Sequence, residues 1–216
     1  MKLKVKGIII DLDGTIVDSR EVYREALERA LEKLDVKNFN SNLILEIPRR
    51  LEQNLPIKDL LPKIDVEKFL RVYLEAYYRI AEEKAKPLPN IQKTLETLSR
   101  KARLALLTMR YVPYESVGKW LEKVGLAKYF QCVVTALNTR FPKPSPKALI
   151  DCAERLGIEV GKCAIVGDSI TDIKAGKSAG AKTVAVLSGI FTREELENEK
   201  PDLIIREISE LPNFLC

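Results

Sequence analysis

From Pro89 onward the sequence alternates short apolar runs with amphipathic stretches, and no other feature constrains the fold as tightly. Residues 104–107, 132–135, 163–166, 183–187 and 203–205 have the length and aliphatic or β-branched content of buried strands. Residues 91–101, 115–124, 146–156 and 170–179 space their apolar positions as helices do, and Gly125 and Gly157 stop two of them. On the 115–124 stripe, Trp120 joins Val117, Leu121 and Val124 as a core residue. Strands and helices alternating at these lengths imply right-handed βαβ crossovers, hence a parallel sheet with helices on both faces. Ligands of such sheets collect beyond the carboxyl ends of the strands.

The N-terminal part begins the same way and then departs. Gly7-Ile8-Ile9-Ile10 reads as a buried strand that stops at Asp11-Leu12-Asp13-Gly14-Thr15. Tyr23, Ala26, Leu27, Ala30, Leu31 and Leu34 then recur at helical spacing, with Asp18 or Ser19 available as a cap. No strand is expected between Phe39 and Pro89. Pro48, Pro56 and Pro62 divide the first half of that stretch into short pieces. Phe69, Leu70, Tyr73, Leu74, Tyr77 and Ile80 mark a long helix over 66–84. The expected architecture is α/β: a Rossmann-like core of residues 1–18 and 87–216, interrupted by an all-helical insertion over 19–86.

Composition removes several functions. There is no histidine, so Ser-His-Asp and Cys-His nucleophile systems, imidazole acid/base work and imidazole zinc sites are all excluded. Cys132, Cys152, Cys163 and Cys216 show no CxxC spacing, and nothing ahead of them resembles a secretory signal. Reduced thiols in a cytoplasmic protein are expected. The net charge of +5 is thinly spread, with fourteen basic and thirteen acidic residues in 19–86, so no basic block points to nucleic acid. No apolar run approaches the roughly 20 residues that span a bilayer, so no membrane partner is expected.

Polar groups gather at four strand ends: Asp11 and Asp13, Thr108, Lys143 in the loop beyond the third, and Asp168 with Asp172. Each has an ordinary explanation alone. Asp-Gly is a turn dipeptide, Asp caps helices, and loop lysines are usually solvated. Together they place four carboxylates, a hydroxyl and a lysine on one rim of a parallel sheet. Clustered carboxylates repel unless a cation intervenes, and oxygen ligands without imidazole or thiolate favour Mg²⁺. A cation, an ammonium and a hydroxyl are what a phosphoryl group requires.

These residues carry a family resemblance. Asp11-Leu12-Asp13-Gly14-Thr15 resembles the first signature of the haloacid-dehalogenase-like hydrolase superfamily. Lys143-Pro144-Ser145-Pro146 resembles the third, and the run from Gly167-Asp168-Ser169 to Ala175-Gly176 the fourth. The second is reduced to Thr108 after Leu104-Ala105-Leu106-Leu107, and Met109 follows where members often carry Asn or Gly. The chain is most similar to the phosphoglycolate-phosphatase-like branch with a type-I helical cap. That resemblance implies Asp11 as nucleophile, forming an aspartyl-phosphate, and Asp13 as proton carrier. It implies Mg²⁺ held by Asp11, Asp168 and the backbone carbonyl of Asp13, with Asp172 binding metal-bound water or steadying Lys143. Thr108 and the backbone amides after Leu12 and Met109 would hold phosphate oxygens, Lys143 would offset charge, and Arg110 would reach the leaving group. The cap would close over the site; Arg49 and Arg50 in its middle are either a surface pair or a contact for a second anion.

The function expected is a Mg²⁺-dependent phosphatase acting on a small phosphorylated metabolite, as a monomer or homodimer. The alternatives are a phosphomutase similar to β-phosphoglucomutase and a non-catalytic regulator that binds phosphate or a partner. The latter has no need of Asp13. A two-component receiver also uses an Asp cluster, Thr and Lys, but its phosphoacceptor is not on the first strand.

Overall fold

The structure, a computed structural model, describes residues 2–216. Tertiary contacts divide the chain into two compact units, one formed by the residues up to Asp18 with Pro87–Cys216, the other by Ser19–Lys86.

In chain order, β1 (Gly7–Ile10) and the short β2 (Val17–Asp18) precede three helices, α1 (Arg20–Lys33), α2 (Leu43–Glu52) and α3 (Val66–Lys84). The brief β3 (Lys86–Pro87) leads back to the first unit, which continues with α4 (Ile91–Ser99), β4 (Arg103–Thr108), α5 (Tyr114–Lys123) and β5 (Phe130–Thr135). Then come α6 (Pro146–Arg155), β6 (Cys163–Gly167), α7 (Ile170–Ala179), β7 (Lys182–Val186), α8 (Arg193–Asn198) and β8 (Leu203–Ile205).

Six strands form one parallel sheet in the order β5-β4-β1-β6-β7-β8. Two crossovers run outward from β1 through β4 to β5, and the next returns past β1 to β6. Right-handedness therefore puts α6 and α7 on the face opposite α4 and α5. One face is filled by Ile9, Ala105, Leu107, Val134 and Ile165 against Ala148, Leu149 and Cys152 of α6 and Ala175 of α7. The residues that alternate with them, Ile8, Ile10, Leu104, Leu106 and Val166, are equally buried. Burial on both faces is why these strands read as unbroken apolar runs. Trp120, Val117 and Leu121 of α5 are buried as well.

In the second unit, α1 and α3 bury the stripes that their spacing marked out. Tyr23 stacks on Tyr77 with ring centroids 5.5 Å apart, and Phe69 stacks on Tyr73 at 5.6 Å. Asp65 caps α3 by accepting hydrogen bonds from the backbone N–H groups of Glu67 and Lys68. Two expectations need correction. Pro48 does not end a helix, because α2 runs through it; the ring removes a single N–H while its side chain is buried. Ser19 occupies the N-cap position of α1, but its side chain makes no capping bond there.

Candidate active site

Because β4, β1 and β6 are neighbours in one parallel sheet, their carboxyl ends share an edge. Ile10 is in register with Leu106 on one side and Val166 on the other. Asp11 follows at the centre of that edge, its N–H bonded to the Val166 carbonyl at 2.9 Å. Thr108 closes β4 on one flank, and Asp168 follows β6 on the other. The β5–α6 loop brings in Lys143. All four are at least 95% buried.

Lys143 organises the cluster. Its Nζ donates to Asp11 Oδ1 and to Asp172 Oδ1, both at 2.6 Å, and the ammonium is shielded from solvent. A buried lysine with two carboxylates on it is not the solvated loop residue that its position in sequence would suggest. Asp172 is committed on both oxygens, since its Oδ2 accepts from the N–H of Ser169 at 3.2 Å and from the Ser169 hydroxyl at 2.7 Å. Ser169 in turn caps α7 and completes a capping box with Asp172. One side chain thus ties the first turn of α7 to Lys143, so of its two expected roles Asp172 is engaged in steadying the lysine.

Asp168 is not the cap of α7. Its Oδ2 accepts from the N–H of Ile190 at 3.0 Å, and two glycines press on it. A Cβ on Gly14, whose φ is +77°, would lie 2.6 Å from the Asp168 carboxyl carbon, and one on Gly189 would lie 1.7 Å from its Oδ2. Only glycine fits at either place.

Asp11, Asp168 and Asp172 each bring a carboxylate oxygen within 4.8 Å of the others. Octahedral ligands about 2.1 Å from a Mg²⁺ lie about 3 to 4 Å apart, so such an ion would draw these oxygens slightly together. Three buried carboxylates also outnumber the one lysine that bridges two of them, an imbalance a divalent cation would offset. The Asp13 carboxylate is not in this group. It faces Arg110, whose Nε donates to Oδ2 at 2.8 Å and whose second guanidinium nitrogen donates to Oδ1 at 2.7 Å.

Thr108 is in place, but its Oγ1 accepts from the Arg110 N–H at 3.2 Å. Met109 is half-buried between them. Arg49 lies 3.9 Å from Glu46, and the Arg50 fork is taken up by Glu46 and Asp59. The Thr15 hydroxyl is fully buried without a hydrogen-bond partner. Supporting contacts that the sequence did not advertise come from the β7–α8 connection: Ile190, and Ser188, whose hydroxyl donates to the Gly14 carbonyl at 2.6 Å. The Ser169–Asp172 spacing was readable as a capping box; Ser188 and Ile190 carry no local signal.

Residues 8–186 match the family model described as haloacid dehalogenase-like hydrolase, which spans most of the chain and takes in every strand end described above. The chain belongs to the haloacid dehalogenase-like hydrolase family. This haloacid dehalogenase-like hydrolase is 33% identical over 218 residues to a phosphoglycolate phosphatase of Aquifex aeolicus, covering 98% of this chain and 97% of that one. It is 30% identical over 231 residues to a phosphoglycolate phosphatase of Escherichia coli, covering 96% and 91%. Among solved structures, a candidate β-phosphoglucomutase from Thermotoga maritima superposes with a TM-score of 0.72 at 26% identity, over 96% of this chain and 97% of that one. As a haloacid dehalogenase-like hydrolase the chain is an enzyme, and among its described residues no helix is long and apolar enough to cross a membrane.

Proposed function

We propose that this hydrolase, a phosphatase by its family and relatives, cleaves a small phosphate monoester through a phosphoryl group carried on Asp11. The observation that carries the reading is the buried bridge from Lys143 to Asp11 and Asp172 beside Asp168. An Asp oxygen at a strand end, backed by an ammonium, is poised as a nucleophile rather than as a structural ion pair.

In the first step an Asp11 oxygen bonds to phosphorus while the bond from phosphorus to the ester oxygen breaks. Protonated Asp13 gives its proton to the departing oxygen. In the second step the Asp13 carboxylate takes a proton from water as that water's oxygen bonds to phosphorus, and the bond to Asp11 breaks to release inorganic phosphate. Thr108 and the N–H groups following Leu12 and Met109 would hold the phosphoryl oxygens, with Lys143 offsetting their charge. Asp11, Asp168 and the backbone carbonyl of Asp13 would hold Mg²⁺, with Asp172 behind them. When bound, the ion supplies positive charge that draws in and neutralises the phosphoryl oxygens.

The test is phosphate release from a panel of monoesters, including 4-nitrophenyl phosphate, with Mg²⁺ and with a chelator. Turnover should require the metal. Asp11→Asn should lower it by at least about a thousandfold while the circular dichroism spectrum stays unchanged. No turnover on any ester, or an active Asp11→Asn protein, would overturn the proposal.

The likeness to the Thermotoga maritima protein supports a second reading, a phosphomutase. Incubation with a sugar 1-phosphate separates the two: a mutase yields the 6-phosphate and a phosphatase yields free phosphate.

A further inference from the structure

Ser188 stands in the β7–α8 connection, where a serine is ordinarily a solvated loop hydroxyl. Here it is half-buried, and its hydroxyl donates at 2.6 Å to the carbonyl of Gly14, 174 residues earlier in the chain. Two residues on, the N–H of Ile190 donates to Asp168 Oδ2 at 3.0 Å. Gly189, between them, comes so close to the same carboxylate that a Cβ there would meet its Oδ2 at 1.7 Å. Three consecutive residues therefore touch both the turn that follows β1 and the aspartate that follows β6.

Both ends of this segment are anchored independently. The N–H of Leu187 donates to the carbonyls of Ile205 and Arg206 at 3.1 and 3.0 Å, and Thr192 begins α8 with a capping box closed by Glu195. The segment is built as a strut. The turn that it meets is softer. Pairing of β1 with β6 ends at Ile10 and Val166, with one more bond from the Asp11 N–H, so no strand pairing sets the Asp13–Gly14 peptide against Asp168. Gly14, at φ +77°, has a torsional freedom that other residues lack. Fixing its carbonyl removes that freedom.

We infer that Ser188 is a positioning residue of the proposed metal site: by fixing the turn after β1, it sets the Asp13 carbonyl relative to the Asp168 carboxylate, two of the groups proposed to hold Mg²⁺. Gly14 permits the turn and Ser188 selects it. This inference rests on the proposed assignment of those two groups as ligands. Removing a partner that orients a metal ligand costs about 10- to 100-fold in affinity, and a loss in that range is expected here.

The experiment follows the melting temperature of the substrate-free protein across a Mg²⁺ titration, which reports affinity by mass action. In parallel it measures the Mg²⁺ concentration that half-activates hydrolysis of 4-nitrophenyl phosphate. Ser188→Ala should bind Mg²⁺ about 10- to 100-fold more weakly and need correspondingly more of it for half-activation, while kcat at saturating Mg²⁺ changes far less. Ser188→Thr keeps the hydroxyl and should bind as wild type does. Ser188→Cys, close in size but a weak donor, should also bind more weakly, and it serves if the Ala protein does not fold.

Asp202→Asn controls for a mere loss of stability. Asp202 accepts from the Thr183 N–H at the opposite end of β7, away from the turn, so this variant should bind Mg²⁺ like wild type. Unchanged affinity in both Ser188→Ala and Ser188→Cys overturns the inference alone, as does a loss in Ser188→Thr or Asp202→Asn equal to that in Ser188→Ala. A wild type that binds no Mg²⁺, or an Asp168→Asn protein that binds it equally well, overturns the metal assignment and this inference with it.

Discussion

Thr15 lies four residues beyond Asp11 in the same turn, and its environment makes an unusual demand. The hydroxyl is fully buried and has no hydrogen-bond partner, a state that costs about 1 to 3 kcal/mol in desolvation. Valine has nearly the same shape without the polar atom. Thr15→Val should therefore leave the metal-free protein as stable as wild type or stabilise it by up to about 1 kcal/mol, as read from a thermal melt. A destabilised variant would mean that the hydroxyl has a partner in solution. The free cysteines make no comparable demand: Cys152 and Cys163 are buried, and burial pushes the Cys163 thiol up to about 11.

At the level of elements, the start of β7 and the start of β8 are joined by Asp202. Burial alone would raise its carboxyl, but hydrogen bonds from the Lys182 ammonium and from the N–H and hydroxyl of Thr183 outweigh that and hold it below its ordinary value. A carboxyl depressed in the folded state adds stability above its unfolded pKa of about 3.9, and that stability is lost as pH falls through the folded value. Asp202→Asn should accordingly be less stable than wild type in urea at pH 7, and the gap should close in acid. A gap independent of pH would assign the effect to shape instead of charge.

The strands themselves were legible from sequence because each is buried on both faces, so its whole length is apolar and its polar end stands out. Asp11, Thr108 and Asp168 were located in that way. What the sequence could not supply were the pairings across the sheet edge. The bond from Lys143 to Asp172 was one of two roles that the family resemblance offered, whereas Arg110 reaches Asp13 and Ile190 reaches Asp168 through loops whose directions no periodicity encodes. Pro48 was misjudged for a related reason: burial of its ring within α2 is a tertiary effect that outweighs a local rule.

For the whole molecule, the carboxylate cluster links stability to metal. An ion that binds only the folded state stabilises it by mass action, by about 2.7 kcal/mol at 100 times its dissociation constant. Mg²⁺ should raise the melting temperature of wild type, and Asp168→Asn should weaken that rise by removing one charge of the proposed ligand set. An equal rise in both proteins would place the ion elsewhere.

The strand order has a further consequence, for synthesis on the ribosome. β1 leaves the ribosome before either of its neighbours, β4 and β6, has been made, with Gly7 opposite Arg103 and Cys163 in the finished sheet. Its three consecutive isoleucines must wait for β4 before one edge is covered and for β6 before the other, while α1 and α3, close together in sequence, have what they need to pair earlier. The nascent chain thus carries an unpaired apolar strand until β4 has been made, the kind of segment that chaperones bind and that aggregates when translation stalls. The nucleophilic Asp11 of the proposed mechanism, attached to that strand, can be set in place only after β6 has been made.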